Sequence, residues 1–173
     1  GGGALLDAGS YTVSLVRLVM GSAPDWVTAH PVWASSGVDM RCTGTLIWAD
    51  GRSAQISCAM DVGYHRHAHI VCSQGSIETE YLNHTADGPG HPLGYQASQL
   101  RVRRSAASTV PLETVRSATG SGFRFCAEAF ADVVARGDTA AIDRAAAASV
   151  DIAATLEALA LSARAGRMVD LSE

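Results

Sequence analysis

The stretch LIWADGRSAQISCAM, residues 46–60, decides the fold, because it is typical of two β-strands joined by a tight turn. Apolar and polar residues alternate on both sides of Asp50-Gly51, and an Asp-Gly pair favours a two-residue type I′ hairpin loop. A loop of that length pairs Ala49 with Arg52 and places position 43 opposite position 58. The sequence therefore predicts a β-hairpin in this register.

The predicted register assigns each side chain to one of two sheet faces, since side chains alternate along a strand. One face carries Thr43, Thr45, Ile47, Ala54, Ile56, Cys58 and Met60. The other face carries Cys42, Leu46, Trp48, Gln55, Ser57 and Ala59. We expect helices to cover the first face, and a second subunit to cover Leu46 and Trp48 on the other. Because Cys42 and Cys58 fall on opposite faces, no disulfide is expected between them.

The elements around the hairpin follow from hydrophobic periodicity and from turn residues. In chain order, the sequence first predicts a helix over 4–20 and four strands between 26 and 81, the last of them over 67–81. A loop over 82–97 and strands over 98–104 and 110–116 follow. A helix over 122–136, a second helix that ends at about 164 and a short strand over 167–171 complete the chain. A run of strands thus comes before a run of helices. This order indicates an α+β domain, a mostly antiparallel open β-sheet with helices packed on one face.

Composition limits the classes of function. The chain has 173 residues, 47% of them hydrophobic, and a net charge of −4, which predicts one domain over residues 1–173 and no nucleic-acid partner. All 13 basic residues are arginine, so no nucleophilic or P-loop lysine comes from this chain. No apolar run approaches the ~20 residues of a membrane span, and we expect no membrane partner. Scattered cysteines indicate a reducing compartment, and we expect a cytoplasmic protein.

The opening segment GGGALLDAGSY, residues 1–11, carries the candidate chemistry. Asp7 and Tyr11 are four residues apart, so on a helix they share one face. A phenol exchanges protons near neutral pH only beside a cation, and a carboxylate binds a substrate hydroxyl or orients that cation. The alternative is structural: Asp7 favours the helix dipole and Tyr11 packs against the core.

Histidines supply two further groups of candidates. HRHAH, residues 65–69, places its three histidines on one face of a strand, where two imidazoles and a third ligand bind zinc. No acid or cysteine is positioned to complete such a set, so we predict no metal, with a metal-dependent hydrolase as the weaker alternative. His84 and His91 lie in the long loop and are candidate substrate contacts, because such loops often reach an active-site cleft.

Residues 1–21, GGGALLDAGSYTVSLVRLVMG, resemble the start of the C-terminal domain of the Gfo/Idh/MocA oxidoreductases, the family of glucose–fructose oxidoreductase and inositol dehydrogenase. The resemblance is to the branch that includes trans-dihydrodiol dehydrogenases, where GGG precedes D-x-G-x-Y. LIWADGRSAQISCAMD resembles the family's hairpin, HIVCSQGSIETE its glycine-rich turn, FRFCAEAFADVVARGD its Y-x-x-E helix and ALALSARAGRMVDL its terminal segment. In that helix Phe125 stands in the tyrosine place, and Cys72 or Ser73 replaces the first glycine of the turn.

This resemblance implies the substrate-binding and oligomerisation domain of an enzyme, with the N-terminal dinucleotide-binding domain absent from this chain. NAD or NADP is implied to bind mainly to that absent domain, through a GxGxxG fingerprint and a Glu-Lys-Pro motif. The implied reaction transfers a hydride between the nicotinamide and a sugar, cyclic polyol or dihydrodiol. Tyr11 would exchange the hydroxyl proton beside a lysine of the absent domain, and Asp7 would hold the substrate or that lysine. We expect this chain alone to be inactive.

The resemblance also implies a homo-oligomer formed through the open sheet. The alternative function is a non-catalytic assembly or ligand-sensing module that keeps the fold without the chemistry. A dinucleotide fingerprint in the sequence upstream of Gly1 distinguishes the enzyme from the module.

Overall fold

The computed structural model describes residues 2–79, 99–116 and 121–171 of the chain. In chain order its elements are α1 (Ala8–Met20), β1 (Trp26–Trp33), β2 (Asp39–Ile47), β3 (Ser53–Ala59), β4 (Ala68–Cys72), β5 (Gly75–Thr79), β6 (Gln99–Arg103), β7 (Glu113–Arg116), α2 (Gly122–Arg136), α3 (Thr139–Ala165) and β8 (Val169–Asp170). They divide between two compact units. The first unit comprises Gly1–Gly63 with Ala140–Glu173, and the second comprises Tyr64–Thr139.

In the first unit, an antiparallel four-stranded sheet in the order β3-β2-β1-β8 carries helices on one face. The core between them consists of Ala4, Leu5, Val13, Val27, Ala29, Cys42, Leu46, Trp48, Ile56, Cys58, Ala158, Leu159 and Val169. The α+β class and the antiparallel open sheet are confirmed. Helix α1 begins at Ala8, four residues after the predicted start, because the preceding residues form a turn.

The hairpin between β2 and β3 differs from the prediction by one residue. Ile47 pairs with Ser53, and the amide of Trp48 donates to the carbonyl of Arg52 at 3.0 Å. The loop therefore has three residues, and the last of them, Gly51, has φ of 90°. A type I turn followed by a left-handed glycine is the usual three-residue hairpin, and it accepts Asp-Gly as readily as the two-residue loop does.

This one-residue difference exchanges the faces of the β2 residues, since side chains alternate along a strand, while Ile56 and Cys58 of β3 lie in the helix-covered core as predicted. Leu46 and Trp48 are 0% and 3% exposed, and both belong to the helix-covered core. The prediction that they face a second subunit was wrong. Their neighbour Ile47, expected under the helices, is half-buried on the other side of the sheet.

The same shift places Cys42 directly opposite Cys58, and both thiols are free and buried. The expectation that they lie on opposite faces was wrong. Desolvation by burial raises the pKa of Cys58 to about 12 and also raises the pKa of Cys42. Both sulfurs are therefore protonated at neutral pH and act as small apolar packing groups.

The uncovered side of this sheet, here called the open face, is mostly polar. It consists of Trp26, Thr28, His30, Thr43, Thr45, Ile47, Gln55 and Ser57. Its central row is Thr28, Thr45 and Gln55, which are paired directly across β1, β2 and β3. Rows of β-branched hydroxyl side chains suit strands, and they leave a flat surface rich in hydrogen-bonding groups.

In the second unit, an antiparallel sheet has the order β4-β5-β6-β7. The segment over 67–81, predicted as one strand, folds back at Ser73-Gln74, so that Cys72 pairs with Gly75. The predicted helix over 122–136 is present as α2. Ser121 caps its start by accepting a hydrogen bond from the amide of Arg124, and Gly137 ends it.

Helix α3 is long and apolar enough to cross a membrane, by length and composition only. Core helices pass the same test. The buried residues of α3 are Thr155, Ala158, Leu159 and Ser162. Ser162 joins the helix to the sheet directly, because its hydroxyl accepts a hydrogen bond from the amide of Ala29 at 2.9 Å.

The hairpin register can be tested with two neighbouring residues. Leu46→Ala is expected to lower the free energy of unfolding by about 2–5 kcal/mol, since it leaves a cavity in the core. The control Ile47→Ala removes a half-buried side chain from the open face and is expected to cost about 1 kcal/mol. Urea denaturation measures both. The opposite order of the two effects would support the two-residue loop and contradict this fold.

Candidate active site

Asp7 and Tyr11 lie one helical turn apart at the start of α1, and both are exposed, Tyr11 by 46%. Asp7 occupies the N-cap position, yet its side chain makes no capping hydrogen bond. Within the described residues, neither the carboxylate nor the phenol has a hydrogen-bond or ion-pair partner. Both groups are therefore accessible from solvent. Tyr11 is only partly exposed, as the structural alternative also expects, and the acid–base role of the pair stays a prediction.

Gly9 brings this helix against the sheet midway between the two candidate side chains. A Cβ atom at Gly9 would stand 3.3 Å from the sulfur of Cys58 and 3.1 Å from Cδ1 of Leu5. Any larger residue would lift α1 from β3. The glycine in D-x-G-x-Y thus sets the height of Asp7 and Tyr11 above the sheet.

Asp39 anchors the turn that leads into α1. Its carboxylate accepts a hydrogen bond from the amide of Leu5 at 2.7 Å, and its carbonyl accepts one from the amide of Ala4 at 2.8 Å. Asp39 is 9% exposed, so this is a buried carboxylate. Sequence reasoning missed it, because nothing in the spacing connects the first residue of β2 to residues more than thirty positions earlier.

The glycines that open the chain are explained by this anchor. Gly3 has φ of +89°, a left-handed conformation that a residue with a Cβ rarely adopts. A Cβ atom there would lie 2.0 Å from Oδ1 of Asp39. Only glycine at this position lets the carboxylate reach the amide of Leu5.

A nicotinamide dinucleotide requires a place for its diphosphate, usually the free amides at a helix start. In the turn before α1, the amides of Ala4 and Leu5 already donate to Asp39. The negative charge of Asp39 also disfavours a phosphate at this turn. In α2 the side chain of Ser121 accepts a hydrogen bond from the amide of Arg124.

The histidine candidates His65, His67 and His69 belong to the second unit. His65 and His67 are stacked, with ring centroids 4.2 Å apart and an interplanar angle of 26°, and His69 pairs with Glu78 across β4 and β5. In the part of the chain that the structure describes, no three His, Cys, Asp or Glu side chains are grouped to hold a metal ion. The predicted substrate contacts His84 and His91 lie outside the described residues.

Comparison with known proteins places this geometry in a family. A family model described as the GFO/IDH/MocA C-terminal domain matches residues 1–78. Over 171 residues the chain is 28% identical to D-xylose 1-dehydrogenase (NADP(+)) 2 of Haloferax volcanii. This alignment covers 98% of the present chain and 48% of the dehydrogenase. Residues 1–78 of this chain are thus similar to a Gfo/Idh/MocA C-terminal domain.

Other members of the family show the same relation. Over 79 residues the domain is 35% identical to trans-1,2-dihydrobenzene-1,2-diol dehydrogenase of Danio rerio, covering 45% of this chain and 24% of that protein. The fold of the chain is similar to that of a 3-ketoreductase variant from Actinomadura kijaniata, whose structure contains TDP-benzene and NADP. The TM-score is 0.73 at 21% identity, and the matched region covers 94% of this chain and 48% of the ketoreductase. This Gfo/Idh/MocA domain thus spans about half the length of such relatives, or less.

The Asp39 anchor predicts a sharp difference between neighbouring glycines. Gly3→Ala forces both an unfavourable φ and a clash with a carboxylate, and it is expected to lower the free energy of unfolding by about 2–3 kcal/mol. The control is Gly2→Ala, where a Cβ meets the flexible end of Leu6 at 3.0 Å. That variant is expected to stay within about 0.5 kcal/mol of wild type in chemical denaturation. Equal stabilities for the two variants would mean that Asp39 does not hold the turn.

Proposed function

We propose that this domain is the substrate-facing half of an NAD(P)-dependent oxidoreductase that acts on a sugar, cyclic polyol or dihydrodiol. The observation that carries the proposal is the exposed, unpaired Asp7 and Tyr11 on one face of α1. The relatives named above support the coarser part, since one is an NADP-dependent sugar dehydrogenase and another a dihydrodiol dehydrogenase.

The chemistry of this chain is proton exchange and orientation. The phenol of Tyr11 would take the proton from the substrate hydroxyl as that carbon is oxidised, and return it in the reverse direction. The carboxylate of Asp7 would accept a hydrogen bond from a neighbouring substrate hydroxyl, or hold the cation that activates the phenol. Since all 13 basic residues of the chain are arginine, a lysine for this role must come from another part of the protein.

The nicotinamide cofactor supplies the hydride acceptor or donor when it is bound. We propose that NAD or NADP is held mainly by an N-terminal domain outside this chain, because the printed sequence has no GxGxxG fingerprint and spans about half the length of its relatives. On this proposal, the chain by itself is inactive. It provides the substrate wall and the acid–base group, and the cofactor domain provides the redox chemistry.

The acid–base role is tested by Tyr11→Phe in the full-length protein. The variant keeps the ring and removes only the hydroxyl, so turnover is expected to fall by about 10²–10⁴ while cofactor affinity stays unchanged. The matched control is Tyr64→Phe, since Tyr64 is 75% exposed and belongs to the second unit. Steady-state kinetics with a panel of aldoses, polyols and dihydrodiols and both cofactors would measure these effects.

Each outcome of that experiment is informative. Near wild-type turnover of Tyr11→Phe would contradict the proposed role of the phenol. A full-length wild type that binds the cofactor but turns over none of the panel would favour the non-catalytic assembly or sensing module. Loss of turnover in both tyrosine variants would indicate a general structural effect and would also contradict the specific role of Tyr11.

We further propose a cytoplasmic homo-oligomer that assembles through the open face. The location rests on the free thiols of Cys42 and Cys58, which stay unpaired although they face each other across two strands. The assembly rests on the flat row of Thr28, Thr45 and Gln55, which leaves many hydrogen-bonding groups for a two-fold partner.

Thr45→Arg is expected to break this assembly, because it places a bulky charge at the centre of the open face. The control Ser36→Arg adds the same charge in the exposed turn after β1. Light scattering of the full-length proteins would show a lower mass for Thr45→Arg only. An oligomer unchanged by Thr45→Arg, or a monomeric wild type, would contradict assembly through the open face.

A further inference from the structure

The turn that leads into α1 is held by a residue of a distant strand. Leu5 lies in this turn, three residues before the helix begins at Ala8. Its amide donates a hydrogen bond to the carboxylate of Asp39, on β2, at 2.7 Å. The carboxylate of Asp7, at the N-cap position, makes no capping hydrogen bond.

A continuous chain of backbone hydrogen bonds connects this anchor to the candidate site. The amide of Asp7 donates to the carbonyl of Gly3 at 3.2 Å, and the amide of Gly9 donates to the carbonyl of Ala4 at 2.9 Å. Ala4 in turn donates to the carbonyl of Asp39. The turn from Gly3 to Gly9 is therefore fixed to the first residue of β2.

We propose that Asp39 is a positioning residue for the acid–base pair of Asp7 and Tyr11. By holding the turn from Gly3 to Asp7 on β2, it fixes the place of both side chains relative to the sheet. This inference rests on the proposed function.

The length of the Asp39 side chain fits the role, because it places an acceptor oxygen 2.7 Å from the amide of Leu5. A small cavity of about 40 Å³, lined in part by Leu6, Trp33, Asp39 and Arg164, adjoins the anchor. When the carboxylate is removed, the turn has room to move, and a displacement of ~1 Å at reacting groups lowers rates by about 100-fold.

The test measures kinetics of full-length Asp39→Ala, Asp39→Asn and Asp39→Glu. Asp39→Ala is expected to lower kcat by about 100-fold while the KM for the cofactor stays unchanged. Asp39→Asn keeps an acceptor oxygen at the same distance and is expected to recover most of kcat. Asp39→Glu keeps the charge but adds a methylene that displaces the turn, so its kcat stays low. Equal kcat values for Asp39→Asn and Asp39→Glu would overturn the inference. This comparison between two variants remains possible even if Asp39→Ala does not fold.

Ser162→Ala is the matched control for loss of stability. Ser162 is buried in the same unit and accepts the amide of Ala29 at 2.9 Å, but it does not contact the turn before α1. The kcat of Ser162→Ala is expected to stay within about twofold of wild type, although its Tm falls by an amount comparable to that of Asp39→Ala. If Ser162→Ala loses as much kcat as Asp39→Ala, the effect is general destabilisation and Asp39 has no positioning role.

A double variant separates this inference from the proposed function. If Asp39 acts through Tyr11, the kcat values of Asp39→Asn and Asp39→Glu differ when Tyr11 is present but not when Tyr11→Phe is combined with each of them. A full difference in both backgrounds would overturn the positioning role alone. Wild-type turnover of Tyr11→Phe itself would instead overturn the proposed function, whatever the Asp39 variants do.

Discussion

The register of the hairpin between β2 and β3 is the constraint on which the rest of the packing depends. Because its loop has three residues and ends at Gly51, Leu46 and Trp48 face the helices. The alternative register would turn both outward and bring Ile47 inward. Burying a large apolar side chain stabilises a fold by roughly 1.5–3 kcal/mol, so a slip would cost the sum over several core residues. Burial of the hairpin thus fixes the register that the turn permits.

This core then supports the candidate site through close contacts at small residues. Gly9 lets α1 approach the sulfur of Cys58, and a Cβ at Gly44 would stand 2.9 Å from Leu159 of α3. A half-buried ion pair, Arg17 to Asp151 at 2.6 Å, connects α1 to α3 on the same side of the sheet. Asp7 and Tyr11 therefore stand on a rigid element, which is what acid–base catalysis requires of its groups.

The buried carboxylate of Asp39 holds the turn that leads into α1. Free amides would attract a phosphate, but in this turn the amides of Ala4 and Leu5 already donate to Asp39. On our proposal, α1 presents an acid and a phenol to a hydroxyl-rich substrate, and the dinucleotide binds elsewhere. Such a separation agrees with our proposal that cofactor binding and substrate binding reside on different domains.

The sequence by itself determined the α+β class, most of the order of the elements and the family resemblance, because periodicity and turn residues are local properties. The pairing of Asp7 with Tyr11 stays a prediction from their i,i+4 spacing. The sequence did not determine the face of each hairpin residue, since Asp50-Gly51 fits two loop lengths whose registers differ by one residue. That choice depended on which side chains the helices could bury. Nor did it find Asp39, whose contact with Leu5 joins residues that only the folded sheet brings together. Tertiary structure alone decided these points, because each is a contact between distant segments.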